Sequence, residues 1–165
     1  MEAKYFNARW DNLLKWCTGI VIVILAVMIR LSFLPQFAPT GYAAIIRTTI
    51  LAIMLAAFLF APRYYVIAGG SLIIKRYIGH VAIALSDIAS VRALDASEMR
   101  FAIRTFGVGG FFGYYGRFWC RSIGSFRAYI TDRSNCVFIQ TRSGRKFVIS
   151  PENRQEFLEI INALK

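Results

Sequence analysis

The chain divides near residue 63 into two patterns of hydrophobic positions. Before that point, apolar residues form two long runs, at 16–34 and 42–62. After it, they form short alternating runs separated by glycine, serine, aspartate and asparagine. Runs of about 20 apolar residues are typical of membrane-spanning helices, and short alternating runs are typical of β-strands. The pattern therefore predicts a membrane-anchored α+β protein, in which a two-helix transmembrane hairpin precedes a β domain.

The two long runs have the boundaries expected of membrane spans. Residues 16–29 carry no charge and Arg30 follows them near the end of the first run. The second run has Arg47 near its beginning and ends at Pro62. Arginine side chains near helix ends can extend to the headgroups, so neither charge argues against a span. The segment 35–41 contains two prolines and a glycine, a turn composition that predicts a short external loop.

The distribution of basic residues predicts the orientation. Residues 1–15 carry three of them and residues 63–165 carry many more, whereas no charge lies between Arg30 and Arg47. Because cytoplasmic segments of membrane proteins are enriched in Lys and Arg, residues 1–15 are predicted to be a cytoplasmic tail. The protein is predicted to lie in the bacterial plasma (inner) membrane as a multi-pass protein with both termini cytoplasmic. The first run lacks a small-residue cleavage site, which favours an anchor over a cleaved signal peptide.

Residues 63–165 are predicted to form one mostly β domain. The short apolar runs predict strands at 64–68, 72–78, 81–85, 126–132, 136–141 and 146–150, and either a strand or a half-turn leading into one at 88–94. Ser150 and Pro151 then resemble a helix start, with serine as N-cap and proline in the first turn. Apolar residues at helical spacing continue to Leu164. This order predicts a β-barrel or sandwich closed by one C-terminal helix.

The same region resembles the bacterial pleckstrin-homology (PH-like) domains. The phrases that carry the resemblance are, in order, YVIAGGSLIIKRYIG, LSDIASVRAL, RTFGVGGFFGYYGRF and AYITDRSNCVFIQTRSGRKFVISPENRQEFLEII. The resemblance implies a two-sheet β-barrel with a C-terminal capping helix, often placed behind transmembrane helices. Eukaryotic relatives often bind phosphoinositides, but this sequence has no clear counterpart of their basic pocket in its first hairpin, where the basic residues are Lys75 and Arg76.

The most unusual segment is the glycine–aromatic stretch 104–118, which is predicted to be a long structured loop. It does not match a phosphate-binding loop, because neither GxxxxGK[ST] nor GxGxxG occurs. Two interpretations remain open: its aromatic residues pack on the barrel, or they contact the bilayer interface or a partner. The candidate contact residues are Arg104, Phe106, Gly107, Gly109, Gly110, Phe111, Phe112, Gly113, Tyr114, Tyr115, Gly116, Arg117 and Phe118.

Composition adds a net charge of +11, and residues 63–165 alone contain 15 Lys or Arg against 7 Asp or Glu. The charge fits both the cytoplasmic orientation and attraction to anionic headgroups. No nucleic-acid-binding motif occurs, and the anchor argues against such a partner. The predicted partners are therefore the membrane, through two spans, anionic lipid, and a protein partner or a second copy of the chain.

The residue types needed for catalysis are scarce. His80 is the single histidine, and the three cysteines share no CxxC spacing, so the chain predicts no metal site and no cofactor. The carboxylates of Asp87, Asp95, Glu98 and Asp132 lie at predicted turns or loops, and no GxSxG motif occurs. We therefore predict a non-enzymatic, membrane-anchored binding or scaffolding module. The alternative is a small subunit of an oligomeric membrane complex or transporter.

Overall fold

The computed structural model describes residues 3–31 and 41–164. Its elements, in chain order, are β1 (Lys4–Asn7), α1 (Asn12–Leu31), α2 (Gly41–Leu59), β2 (Pro62–Ala68), β3 (Ser71–Arg76), β4 (His80–Ala84), β5 (Ile88–Leu94), β6 (Ile103–Gly109), β7 (Tyr114–Cys120), β8 (Gly124–Ile130), β9 (Cys136–Thr141), β10 (Lys146–Ile149) and α3 (Arg154–Leu164). The predicted external loop 35–41 and the predicted end of the first span lie outside the described residues, except for Gly41, the first residue of α2.

The strands form two sheets. The smaller sheet has the order β1-β2-β3-β4, and the larger has the order β5-β9-β10-β8-β7-β6. All neighbours are antiparallel except β8 and β10, which run parallel. Every strand predicted from the alternating pattern is present, and the C-terminal helix follows them. The two sheets and the C-terminal helix agree with the predicted PH-like architecture.

Both faces of the six-stranded sheet are covered in its centre, which explains why its middle strands are so apolar. One face packs against the four-stranded sheet and α3, with Phe147 and Phe157 fully buried between them. The opposite face forms a second core around Val148 and Phe126, closed by Met99 from the segment after β5. Residues 147 and 148 of β10 therefore point into different cores, as the two-residue period of a strand requires.

The N-terminal tail predicted for residues 1–15 contains a strand. β1 pairs antiparallel with β2, from Lys4 opposite Ile67 to Asn7 opposite Tyr64. Phe6 is only 4% exposed, and its ring meets that of Phe157 edge-on at 5.2 Å. The four residues of β1 are too few for a recognisable alternation, so only pairing with a strand more than 50 residues away defines them.

Ser150 is not the N-cap of the C-terminal helix, so this prediction is wrong. The helix begins at Arg154, and the Asn153 carbonyl accepts the first intrahelical bond, from the Phe157 amide, at 3.0 Å. The Ser150 hydroxyl instead accepts hydrogen bonds from the amides of Thr131 (2.8 Å) and Asp132 (3.2 Å). Ser150 is buried, and it is needed there because the backbone at the end of β8 would otherwise lack acceptors.

The two helices differ from the predicted spans in their bounds. α1 begins at Asn12, four residues early, and α2 ends at Leu59, before Pro62 begins β2. Within the described ranges, α1 is the one helix long and apolar enough to cross a membrane, and the apolar helix Ala44–Leu59 is shorter. Only Leu14 and Thr18 of α1 are buried, so α1 is not a core helix of the domain.

Candidate functional site

The glycine–aromatic stretch 104–118 is a β-hairpin and not a loop, so that prediction is wrong. β6 and β7 pair along their length, and the Gly110 amide donates to the Gly113 carbonyl at 3.1 Å across the turn 110–113. The five glycines of this stretch obscure the strand pattern, because glycine is depleted in strands and carries no side chain to alternate. The hairpin forms one edge of the six-stranded sheet.

Two of these glycines let the strands approach more closely than other residues would allow. Gly107 and Gly116 are cross-strand partners, with φ angles of +112° and +124°. A Cβ atom on Gly107 would lie 2.2 Å from the Tyr115 carbonyl oxygen, and one on Gly116 would lie 2.3 Å from that of Phe106. Such contacts are sterically forbidden, so the hairpin requires glycine at both positions.

The turn of the hairpin contacts both helices. The Phe112 amide donates a hydrogen bond to the Thr18 hydroxyl in α1 at 3.2 Å. The Phe112 ring packs edge-on against Phe58 of α2, with centroids 5.2 Å apart. Phe112 has a φ angle of +57°, which is unusual for an aromatic residue and persists only where the surroundings impose it. The turn is therefore held between the helices, at their domain-proximal ends.

The last carbonyl groups of α2 also find their partners in the domain. The final turn of any helix leaves carbonyl groups without intrahelical donors. The Tyr115 hydroxyl donates to the Ala57 carbonyl, and the Ile78 amide donates to the Leu59 carbonyl at 3.0 Å. Burial raises the pKa of Tyr115 to about 12, so its hydroxyl stays a protonated donor at physiological pH. β7 and the β3–β4 turn together cap the end of α2.

The beginning of α1 is also joined to the domain by hydrogen bonds, through Asp11. The Asp11 carboxylate accepts a hydrogen bond from the Leu14 amide at 2.6 Å, the geometry of an N-cap. The same carboxylate accepts from the Arg133 amide at 3.2 Å, and the Asp11 amide donates to the Thr131 carbonyl at 3.0 Å. These bonds, with those of the hairpin turn and α2, connect both helices directly to the β domain.

The residues predicted to form one contact surface lie in three different environments. Phe112 in the turn and Tyr115 in β7 contact the helices. Phe118 is buried in the second core, where its ring stacks on that of Phe126 at 6.0 Å. Tyr114 is half-buried, and the guanidinium of Arg133 lies 5.4 Å from its ring centroid. The solvent-exposed members are Arg104, Phe106, Gly107, Gly109 and Arg117.

The exposed side of the hairpin carries a patch that combines large apolar residues with arginine. Cross-strand partners share one face of a sheet, which places Ile103 beside Trp119, and Phe106, Arg117 and Arg127 in one row. Ile103 is 59% exposed, Trp119 is 44% exposed and Phe106 is 75% exposed. No salt bridge within the described ranges involves either arginine. We call these five residues the outer patch.

Sequence reasoning found only two members of the outer patch. Ile103, Trp119 and Arg127 lie outside the stretch 104–118, and their grouping depends on the register between β6, β7 and β8. Beside the patch, a depression of about 230 Å³ is lined by both patch arginines and by Arg145 and Lys146. The surface around the patch is therefore also basic.

Two of the four carboxylates considered as catalytic acids, Asp87 and Glu98, are engaged in ion pairs. Asp87 accepts a hydrogen bond from Arg145 at 2.9 Å, and Glu98 accepts one from Arg92 at 2.7 Å. Hydrogen bonding from the partner guanidinium lowers the pKa of each carboxyl group. Within the described ranges, no group of three or more metal-ligating side chains occurs, and all three cysteines are free thiols. Asp87 and Glu98 thus hold turns in place, through the Ser143 and Asp95 amides respectively.

Comparison with known proteins agrees with this architecture. The family model of the bacterial PH domain matches residues 63–164, from the beginning of β2 to the end of α3. No curated protein and no solved structure matches the chain. The family match covers more than half of the chain and confirms the resemblance found in the sequence. This protein therefore belongs to the bacterial PH domain family.

Proposed function

We propose that this protein is a membrane-anchored binding module of the bacterial plasma membrane. In this proposal, α1 and α2 cross the bilayer and hold the PH-like domain at its cytoplasmic surface. The outer patch docks an acidic segment of a protein partner. Two observations support the proposal: the pairing of β1 with β2, which constrains the topology, and the composition of the outer patch.

The exposure of α1 supports a location in lipid. Its 20 residues measure about 30 Å at 1.5 Å per residue, the thickness of a bilayer core. Eight of its large apolar side chains from residue 20 to residue 31 are exposed, on all sides of the helix. In water, a helix that is apolar all round would be expected to associate or aggregate, whereas in lipid the same surface is solvated.

The pairing of β1 with β2 supports two crossings. β1 precedes the helices, β2 follows them, and their backbones are hydrogen-bonded in one sheet. Both ends of the helical segment therefore lie on the same side of the membrane, so a chain that crosses in α1 must return in α2. α2 has 19 residues and measures about 28 Å, close to the length that a return requires.

The same pairing argues against removal of α1 as a signal peptide. Cleavage after α1 would also remove β1, and with it the buried ring of Phe6. A segment that contributes a strand and a core residue is part of the mature domain. The excess of Lys and Arg in the domain favours the cytoplasmic side.

Reporter fusions in bacteria test this topology. We expect alkaline phosphatase to be inactive when fused after Lys165 and active when fused within the segment 35–41, because only the latter lies outside. Green fluorescent protein should give the reverse pattern. Active phosphatase at both positions would mean that the domain is exported and would overturn the cytoplasmic placement.

The chemistry of the outer patch indicates the kind of partner. Aromatic residues and arginine are enriched where proteins bind one another, and large exposed apolar groups mark such surfaces. Arg117 and Arg127 have no carboxylate partner in the described part of the chain, so a partner's Asp or Glu would complement them. A second copy is disfavoured, because the same basic patch and a net charge of +11 would repel it.

Photo-crosslinking in living cells tests the docking. A photoreactive amino acid at Phe106 should give a discrete product with an acidic protein. The same group at Tyr5, which is also largely exposed but lies on a different sheet, should not. The double variant Arg117→Glu, Arg127→Glu should reduce the product more than about tenfold, because like charges then face each other. A product unaffected by this charge reversal, or one with the mass of two copies of the chain, would contradict the proposal.

A further inference from the structure

We propose that the turn between β3 and β4 binds the phosphate group of an anionic phospholipid. The residues concerned are Phe60, Arg63, Arg76, Tyr77 and Ile78, which we call the β3–β4 site. This inference rests on the membrane location proposed above, but it involves a surface separate from the outer patch.

The β3–β4 site lies at the end of α2. The Ile78 amide donates to the Leu59 carbonyl at 3.0 Å, and the Tyr77 ring lies 4.4 Å from that of Phe58. Tyr77 and Ile78 are nevertheless about half exposed, at 47% and 51%. Exposed aromatic and apolar side chains at the end of a spanning helix lie at the level of the lipid headgroups.

Two arginines stack on the aromatic rings of this site. The guanidinium carbon of Arg63 lies 5.1 Å from the centroid of Tyr77, and that of Arg76 lies 5.3 Å from the centroid of Phe60. Neither arginine forms a salt bridge among the described residues. A stacked guanidinium retains N–H donors around its edge, in the geometry that suits phosphate oxygens.

Arg76 has a further feature that points to an anion. Its Nε atom is buried, and none of the described residues accepts a hydrogen bond from it. Buried polar atoms in proteins nearly always have a partner, and an orphaned donor on a cation requires an acceptor. Because Nε itself is shielded from solvent, a small shift of the Arg76 side chain must present it to the lipid. A phosphate oxygen at the headgroup level would then supply both the acceptor and the negative charge.

The position of the site favours a lipid over a soluble phosphate compound. Phe60, Tyr77 and Ile78 surround the arginines with exposed apolar surface, which acyl chains and glycerol can cover. The turn of the first hairpin, at Gly69 and Gly70, lies at the opposite end of β3, about 20 Å away across six residues. The lipid contact proposed here therefore uses Arg76 at the far end of β3 and not the turn of the first hairpin.

Lipid retention by the full-length protein tests the inference. The protein would be reconstituted in nanodiscs of phosphatidylcholine with a minor share of phosphatidylglycerol, and the lipids that remain bound after extraction would be counted by native mass spectrometry. Arg76→Gln and Arg63→Gln should each lower the preference for phosphatidylglycerol about fivefold. Arg142→Gln removes an exposed arginine from the β9–β10 turn and should leave the preference unchanged.

The outcomes separate this inference from the proposed anchor. Resistance of the wild-type protein to alkaline extraction from native membranes reports on the anchor alone. If the protein resists extraction but both glutamine variants retain phosphatidylglycerol normally, with unchanged melting temperatures, the lipid site is wrong and the anchor stands. Displacement of the lipid by glycerol phosphate at equal concentration would assign the site to a soluble phosphate compound and overturn the lipid proposal.

Discussion

Replacing Phe6 with alanine should destabilise the PH-like domain by about 3–5 kcal/mol, the usual loss for a buried aromatic ring. Phe6 is 4% exposed and meets Phe157 edge-on in the core between the sheets and α3. The effect should be as large as that of a central core residue, although Phe6 lies before α1 and outside the family match. Denaturant unfolding of the full-length protein in detergent micelles measures it.

The neighbouring residue provides the control for this experiment. Tyr5 lies on the same strand but is 67% exposed, and it only approaches Tyr64, at 6.2 Å between ring centroids. Tyr5→Ala should cost less than about 1 kcal/mol. If Phe6→Ala cost as little as Tyr5→Ala, β1 would not be part of the domain. The argument that both ends of the helical segment lie on one side of the membrane would then also be lost.

The variant Gly107→Ala should have the second large effect, a loss of about 2–5 kcal/mol concentrated in the β6–β7 hairpin. The added Cβ would lie 2.2 Å from the Tyr115 carbonyl oxygen, and the φ angle of +112° is itself unfavourable for alanine. The strands must therefore separate around this position, which also draws Tyr115 away from the Ala57 carbonyl. Hydrogen exchange of the β6 and β7 amides measures the change directly, and the melting temperature gives its size.

Gly109→Ala is the matched control on the same strand. Gly109 does not have a positive φ, and a Cβ there would make ordinary contacts with the flexible side chain of Arg104, at 3.5 Å from its Cδ atom, and with the ring of Phe118, at 3.9 Å. Alanine should therefore be accepted at Gly109 with a change below about 1 kcal/mol. If Gly107→Ala were equally harmless, the close approach of β6 and β7 would not exist in solution, and the turn would not be held between the helices.

The sequence by itself determined the division of the chain and most of its regular elements. Strand β9 was predicted at its observed bounds, because a strand that buries both faces produces a short continuous run of apolar side chains bounded by turn residues. The run at 16–34 likewise indicated an apolar helix, since about 20 consecutive apolar residues require a nonpolar environment. The PH-like family was also recognisable from the order of phrases in residues 63–164.

Only the tertiary structure decided how the helices, the tail and the glycine–aromatic hairpin are joined. β1 forms because it pairs with β2, more than 50 residues away. Ser150 accepts a hydrogen bond from the backbone at the end of β8 and does not cap α3. The hairpin depends on a close approach at Gly107 that no local pattern reveals. The outer patch likewise depends on register across three strands. Backbone pairing and close approach between distant segments leave little trace in side-chain periodicity, and glycine leaves none.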